Sequence, residues 1–165
     1  MFGKKKPPLP SYNLQVLTTE YLIEGTIEGD RRLYLPSLDV MDSIPLRLTS
    51  VQVQTTRLED IPTLTCAQFM VMGDNTVALI PRMELSQMPQ YDVWKIPNVA
   101  IRGVFHFGPY LVQGRLMLSR DGFFENEMPM FDVGISSRIP GTRWEKLQAP
   151  FALVNGRWLQ GYEPA

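Results

Sequence analysis

The sequence predicts an all-β protein made of two divergent copies of one strand pattern, and three observations predict it. Short runs of β-branched and aromatic residues recur along the chain, separated by Gly, Pro, Asn and Asp. No amphipathic stretch of ten or more residues shows helical spacing. Fourteen prolines and twelve glycines are scattered along the chain, which suits strands and turns. The expected architecture is two small curved sheets or small barrels packed together, with at most short helices.

Residues 1–12 read as a flexible tail. Lys4, Lys5 and Lys6 run into Pro7, Pro8 and Pro10, a composition that favours extended, solvated backbone. Such a basic arm could touch an acidic surface. The first strand unit is expected over 13–80. Leu14-Gln15-Val16-Leu17 and Tyr21-Leu22-Ile23-Glu24-Gly25-Thr26-Ile27 are its first strands, and Leu46 to Thr56 shows the clearest alternation. Thr56-Arg57-Leu58-Glu59 has capping-box spacing and predicts a short helix through Asp60. Phe69-Met70-Val71-Met72 and Thr76-Val77-Ala78-Leu79-Ile80 flank Gly73-Asp74-Asn75, which predicts a hairpin. Residues 81–98 read as a proline-rich connector, because Pro81, Pro89 and Pro97 break both helix and central strand. Tyr91 and Trp94 are expected to pin it to the core.

The second unit is expected over 99–165. Its strand runs are Ile101 to Phe107, Tyr110 to Leu118, Met130 to Ile135, and Phe151 to Val154 leading over Asn155-Gly156 into Trp158-Leu159. Tyr21-Leu22-Ile23-Glu24-Gly25-Thr26-Ile27 matches Tyr110-Leu111-Val112-Gln113-Gly114-Arg115-Leu116, and Ser50 to Val53 falls where Asp132 to Ile135 falls. Ala67 to Met72 matches Ala149 to Val154 with Phe69 and Phe151 aligned. Three anchors in the same order predict an internal duplication. Gly25 and Gly114 are expected at a bulge or sharp bend, because a strand interior disfavours Gly.

Phe69 to Ile80, a strand, a Gly-Asp-Asn turn and a closing strand, resembles the second signature motif of Sm-like proteins. The Gly25-containing strand resembles the bent strand of those small barrels. The resemblance implies a small-barrel shape, a turn that helps bind RNA, and edge strands that form rings. Met72 stands where the family usually has Arg, and the first motif's Asp and Asn pair has no match. The two-part pattern also looks like that of uncharacterised bacterial proteins of unknown function.

The chemistry expected of the chain is sparse. Sixteen basic and seventeen acidic residues give a net charge of −1, so no global field draws in nucleic acid or an anionic membrane. One cysteine, Cys66, and one histidine, His106, exclude an intramolecular disulfide and leave too few ligands for a zinc site of Cys and His. Cys66 reads as a small core residue and His106, between Phe105 and Phe107, as a satisfied strand residue. No nucleophile elbow, phosphate loop or dinucleotide fingerprint is present. Asp121, Glu125 and Glu127 lack the spacing of an EF-hand and read as a solvated loop. No apolar run reaches the ~18 residues of a membrane helix, and no secretory leader is recognisable, so the expected compartment is the cytoplasm.

A non-enzymatic binding or scaffolding module is therefore expected, working through oligomerisation or a protein partner and needing no catalytic residues, metal or cofactor. The alternative is an RNA or single-stranded nucleic-acid binder of Sm-like shape. The candidate surface for either is Gly73, Asp74 and Asn75, the Phe123-Phe124 tip, and the pairs Arg143-Trp144 and Arg157-Trp158. Nine methionines, Met70 and Met72 among them, read as core filling or as an adaptable contact surface.

Overall fold

The computed structural model describes residues 3–4, 11–27, 33, 35, 46–57, 61–84, 86, 99–119 and 121–165. The fold is all-β. Among the described residues, the helical pieces are no longer than a turn of 3-10 helix such as Gly156–Trp158. Five strands make a first unit: β1 (Tyr12–Thr18), β2 (Tyr21–Ile27), β3 (Leu46–Thr55), β4 (Leu64–Val71) and β5 (Thr76–Arg82). Five more make a second: β6 (Ala100–Phe107), β7 (Tyr110–Met117), β8 (Glu127–Ser137), β9 (Leu147–Asn155) and β10 (Leu159–Pro164). All ten lie in one antiparallel sheet in the order β10-β6-β7-β8-β9-β5-β1-β2-β3-β4.

Two expectations are corrected by this order. The units are not two closed barrels packed face to face; they share one open sheet, joined edge to edge where β5 pairs with β9. The run Phe69 to Ile80 is not a hairpin either. β4 and β5 lie at opposite ends of their unit, and so do β9 and β10. The chain turns at Gly73-Asp74-Asn75, but β5 then finds its ladder on β1 rather than on β4. Turn chemistry fixes a change of direction, not the partner of the strand that follows.

The same internal order, last strand beside first and then second, third and fourth, holds in both units, and the pairing matches residue by residue. Leu14 faces Gly25 and Gly103 faces Gly114. Ile23 faces Val53 and Val112 faces Ile135. Leu46 faces Val71 and Met128 faces Val154. Val16 faces Leu79 and Phe105 faces Tyr162. The irregularities coincide too. The β2·β3 register shifts between Glu24 and Thr26, the β7·β8 register between Gln113 and Arg115. Gly25 thus stands against Ser50-Val51, and Gly114 against Asp132-Val133, each a one-against-two bulge.

Ser50 and Asp132, at matching places in the bulges, are the non-glycine residues with left-handed backbone among the described residues, at φ 51° and 54°. Few non-glycine residues adopt that region. The glycines are required by contact: a Cβ on Gly25 would come 2.9 Å from the Leu48 Cβ, and one on Gly114 2.8 Å from the Phe131 carbonyl oxygen. The register also corrects the alignment of Phe69 with Phe151. Phe69 faces Leu48, and the residue in its place in the second unit is Ala152, which faces Met130. A slip of one residue turns a side chain to the opposite face of the sheet.

That difference of face decides how the cores are built. One apolar cluster holds Phe105, Tyr110, Val112, Met130, Ile135, Ala152 and Val154 of the second unit together with Leu17, Leu22, Ala78 and Ile80 of the first. The other holds Leu14, Val16, Ile23, Leu48, Val51 and Leu79 of the first unit together with Phe151 and Leu153 of the second. Successive residues of a strand point to opposite faces, so β5 and β9 each feed both cores by alternation.

Some expected boundaries shift. β1 begins at Tyr12, inside the expected tail, because Tyr12 is buried and pairs with Ile27. Pro81 and Arg82 belong to β5, not to the connector; Pro81 faces Leu14 beyond the two residues, Ala78 and Leu79, that pair with β9, so its missing N–H breaks no seam ladder. Lys4 is exposed, whereas Lys5, Lys6, Tyr91, Trp94 and the expected helix at Leu58 to Asp60 lie outside the described residues.

Phe151 is fully buried in the core of the opposite unit and stacks edge-on against Phe131 at 5.4 Å. Phe151→Ala is expected to lower stability by about 3–5 kcal/mol. Urea denaturation followed by tryptophan fluorescence and by circular dichroism should give one coincident transition for both probes, moved to lower urea.

Candidate functional site

The sequence-derived candidates separate into three places. Gly73 and Asp74 meet Arg157 and Trp158 at one end of the seam. The buried Asn155 organises this end. Its side-chain NH2 donates to the Thr76 carbonyl at 2.9 Å and to the Gly73 carbonyl at 3.4 Å, and its oxygen accepts the Arg157 N–H at 3.1 Å. The Trp158 indole N–H donates to the Asp74 carbonyl at 3.1 Å, and the Arg157 guanidinium lies 3.8 Å from the Asp74 carboxylate. Thr76 closes the turn from its own side, through its N–H to the Gly73 carbonyl at 3.0 Å and its hydroxyl to the Met72 carbonyl at 3.0 Å. Asn75 is exposed beside it.

Arg143 and Trp144 lie elsewhere, on a segment that straps the second unit to the first. The Arg143 N–H donates to the Thr56 carbonyl at 3.0 Å, and its guanidinium to the Ile61 carbonyl at 3.3 Å. Thr142 makes an isolated bridge with Arg57. Trp144 stacks on Tyr110 at 6.1 Å, and the Tyr110 hydroxyl donates across the units to the Thr18 carbonyl. Arg143, Arg157 and Trp158 thus serve contacts between units at separate points, Trp144 stacks within its own unit, and the two pairs do not form one basic, aromatic stripe.

Phe123 and Phe124 form the third place. They are 67% and 46% exposed, and Phe124 packs 6.2 Å from Tyr162 on β10, itself 40% exposed. Val99, also exposed, precedes β6, the strand beside β10. The remaining exposed large apolar residues gather toward the other end of the sheet: Ile61, Leu64, Met70 and Met72 on or next to β4, and Tyr21 at the start of β2, across a groove from Met70 and Met72. Among the described residues, then, the exposed apolar surface is divided between the two strands that end the sheet. A groove of about 340 Å³ runs beside β4 between the Thr18–Tyr21 turn and Phe69–Met72.

Sequence reading missed this distribution. It identified Phe123 and Phe124 but not Tyr21, Met70 or Tyr162, because nothing local marks a strand as the last in its sheet. The excess of methionine was the one signal that pointed there.

A second groove, of about 790 Å³, lies on the outer face of the second unit, over Gly103, Gly114 and Gly134 and flanked by Arg102, Arg115 and Lys146. Arg115 lies over the Phe131 ring at 5.3 Å, and Lys146 donates to the Gln113 side chain at 3.2 Å. Asp132 and Glu163 share the lining, so the charge there is mixed. His106 and Glu163 come within 3.7 Å of each other as a partly exposed pair across β6 and β10. Glu127 accepts the Leu35 N–H at 2.8 Å and so is tied to the first unit. Cys66 is half-buried against the first unit's core. No group of three or more metal-ligating side chains occurs among the described residues. None of the described helical segments is long and apolar enough to cross a membrane.

No protein-family model, curated protein or solved structure matches the chain.

Two measurements check the seam. Asn155→Ala leaves the buried Gly73 and Thr76 carbonyls short of a donor and is expected to cost about 1–3 kcal/mol. Arg157→Ala removes a half-exposed ion pair and is expected to cost under about 1 kcal/mol. Chemical denaturation of the two variants ranks them. Burial also pushes the Tyr110 and Tyr12 phenols up to about 12 from an ordinary 10, in Tyr110 against weaker opposing pulls from Thr56 and Arg57. The unfolded chain therefore releases these protons first. Their contribution to stability is complete below pH 10 and is lost as pH rises toward 12. Absorbance titration should show two late-ionising tyrosines, and stability should fall across that window, less steeply in Tyr110→Phe.

Proposed function

We propose that this protein is a non-enzymatic binding or scaffolding module, built as a tandem of two like β units, that works by offering its two unpaired sheet edges to a protein partner or to itself. The observation that carries this reading is the placement of the exposed apolar side chains: they collect at β4 and around β10. An edge strand presents unpaired N–H and C=O groups and is a ready template for another strand. Apolar residues beside such an edge supply the burial that main-chain hydrogen bonds alone lack. Phe123 and Phe124 belong to this reading as the rim of the β10 edge.

The nucleic-acid reading has less to draw on. Arg157 and Trp158 are bonded to Asp74, and Arg143 and Trp144 are bonded or stacked within the chain. The groove with Arg102 and Arg115 also carries two carboxylates.

Light scattering coupled to gel filtration tests the proposal, on the purified chain and on the chain added to cell extract. The wild type is expected above its monomer mass of 18.9 kDa in at least one of these settings. Met70→Lys and Tyr162→Lys, which place a charge on each edge, are expected to shift it back toward the monomer. A monomer in both settings overturns the proposal.

A further inference from the structure

We infer that the groove on the outer face of the second unit binds a small molecule carrying one oxyanion group, a phosphate or a carboxylate, on an apolar body, and that Arg102 and Arg115 receive the oxyanion. This site does not depend on the edge-binding reading.

Two like charges meet in this groove. Arg102 and Arg115 stand directly opposite each other in the β6·β7 ladder. Like charges so opposed destabilise an antiparallel pair. Among the described residues, neither guanidinium has an ion pair or a hydrogen bond. Arg115 lies over the Phe131 ring at 5.3 Å, a contact that engages its charge but none of its N–H groups. Its Nε is buried without a partner, and a buried donor left unpaired costs free energy.

The first unit carries the same groove, filled from within. About 310 Å³ lies over Gly25, against about 790 Å³ over Gly114. Asn13 and Thr26 stand where Arg102 and Arg115 stand. They are a neutral pair, and the Thr26 hydroxyl donates to the Asn13 side-chain oxygen at 3.4 Å. Arg82 donates to the Gln15 side chain at 2.7 Å and to the Gln148 carbonyl at 3.0 Å. Gln15 in turn donates to Glu24 at 2.7 Å. Each of these polar groups is answered inside the chain. In the second unit, Val104 and Gln113 hold the places of Gln15 and Glu24. Ala165 follows Pro164 as Arg82 follows Pro81, and Pro164 faces Gly103 as Pro81 faces Leu14. The internal network is missing there, and the groove carries cations instead. Gly134 holds the place of Gln52 and admits a third cation, since a Cβ on it would come 2.3 Å from the Lys146 Cε.

The chemistry of the lining names the ligand class. A guanidinium presents forked N–H donors that match two oxygens of a carboxylate or a phosphate. An oxyanion between Arg102 and Arg115 relieves their repulsion and supplies the acceptors that both lack. A groove of about 790 Å³ is much larger than one such group and is the size of an ordinary small-molecule site. Val104, Val133, Ala149, Pro150 and Pro164 line it and offer apolar contact to the rest of the ligand. Asp132 and Glu163 share the lining and repel a polyanion, which limits the ligand to a single anionic end.

Thermal unfolding at constant ionic strength tests the site, with phenyl phosphate or benzoate replacing part of the chloride. At millimolar probe the wild type is expected to melt higher than in chloride alone, with phenyl phosphate where the site prefers phosphate and with benzoate where it prefers carboxylate. Phenol, which has the ring without the charge, is expected to give no such rise. Arg102→Asn removes one of the opposed charges at an exposed position and leaves Arg115 on its ring. In chloride this variant is expected to melt higher than the wild type, by up to about 4 °C. It is also expected to bind the preferred probe about tenfold more weakly. Amide NMR signals of Gly103, Gly114 and Gly134 are expected to move as the probe is added to the wild type.

The inference is overturned if neither anionic probe raises the melting temperature, or if phenol raises it equally. It is overturned as well if Arg102→Asn keeps the full response, or if the moving amides lie outside the groove.

Discussion

The junction of β5 with β9 is the constraint on which the rest of this molecule depends. A five-stranded unit of this size has one curved sheet and a modest core, and a core so small buries little of its chain's surface. Here each core is completed by its neighbour. Leu153 and Phe151 leave their own unit to fill the first core, while Ala78 and Ile80 leave theirs to fill the second. Main-chain hydrogen bonding and side-chain alternation make this one event: two strands cannot pair at the seam without exchanging side chains between cores. Asn155 at one end of the seam and Arg82, which donates to the Gln148 carbonyl at 3.0 Å, at the other then hold it in register, and Arg143 adds a strap to Ile61. Neither unit is a free-standing body to which the other is attached.

Much of the strand content was legible, because it follows from local chemistry. The alternation of Leu14 and Val16 with Asn13 and Gln15, the punctuation at Gly73-Asp74-Asn75, and the matched glycines 25 and 114 each report on a few neighbouring residues. The strand order was not legible. Phe69 to Ile80 has the composition of a hairpin, and whether β5 pairs back on β4 or travels to β1 depends on residues sixty positions away. The same limit explains the misplaced match of Phe69 with Phe151. Two aromatic residues in similar runs invite alignment, but only the ladder shows that one fills its own core and the other its neighbour's.

The candidate site shows the same division in sharper form. Arg143-Trp144 and Arg157-Trp158 look alike as dipeptides, and a basic residue beside an aromatic suggests a stacking platform. In the fold, both pairs are consumed by contacts within the chain. Arg143 finds the Thr56 and Ile61 carbonyls of the first unit and Trp158 that of Asp74, while Trp144 stacks on Tyr110 of its own unit. A sequence motif states what a side chain is able to do. Which of those abilities is left for an external partner depends on what the fold has already used.

Comparison of matched positions carries that logic to the surface. Two units with the same strand order but different places in a sheet should differ where their surroundings differ and agree where they do not. The bulges agree in detail, down to the left-handed Ser50 and Asp132, because the same bend is needed in both units. The fourth strands differ: β9 has Phe151, Leu153 and the buried Asn155, while Gln68 and Met70 of β4, and Met72 just past its end, hold those places. A strand meant to end a sheet in water is commonly blunted by charge, and β4 contains neither Lys, Arg, Asp nor Glu. It carries Met70 where β9 has Leu153, a side chain that keeps apolar character while adapting its shape. β10 combines Tyr162 with Glu163 and Pro164, a mixture that permits pairing along part of its length and discourages it at the end. An edge that is apolar, uncharged and adaptable on one side, and partly gated on the other, is the feature from which the edge-binding proposal is argued.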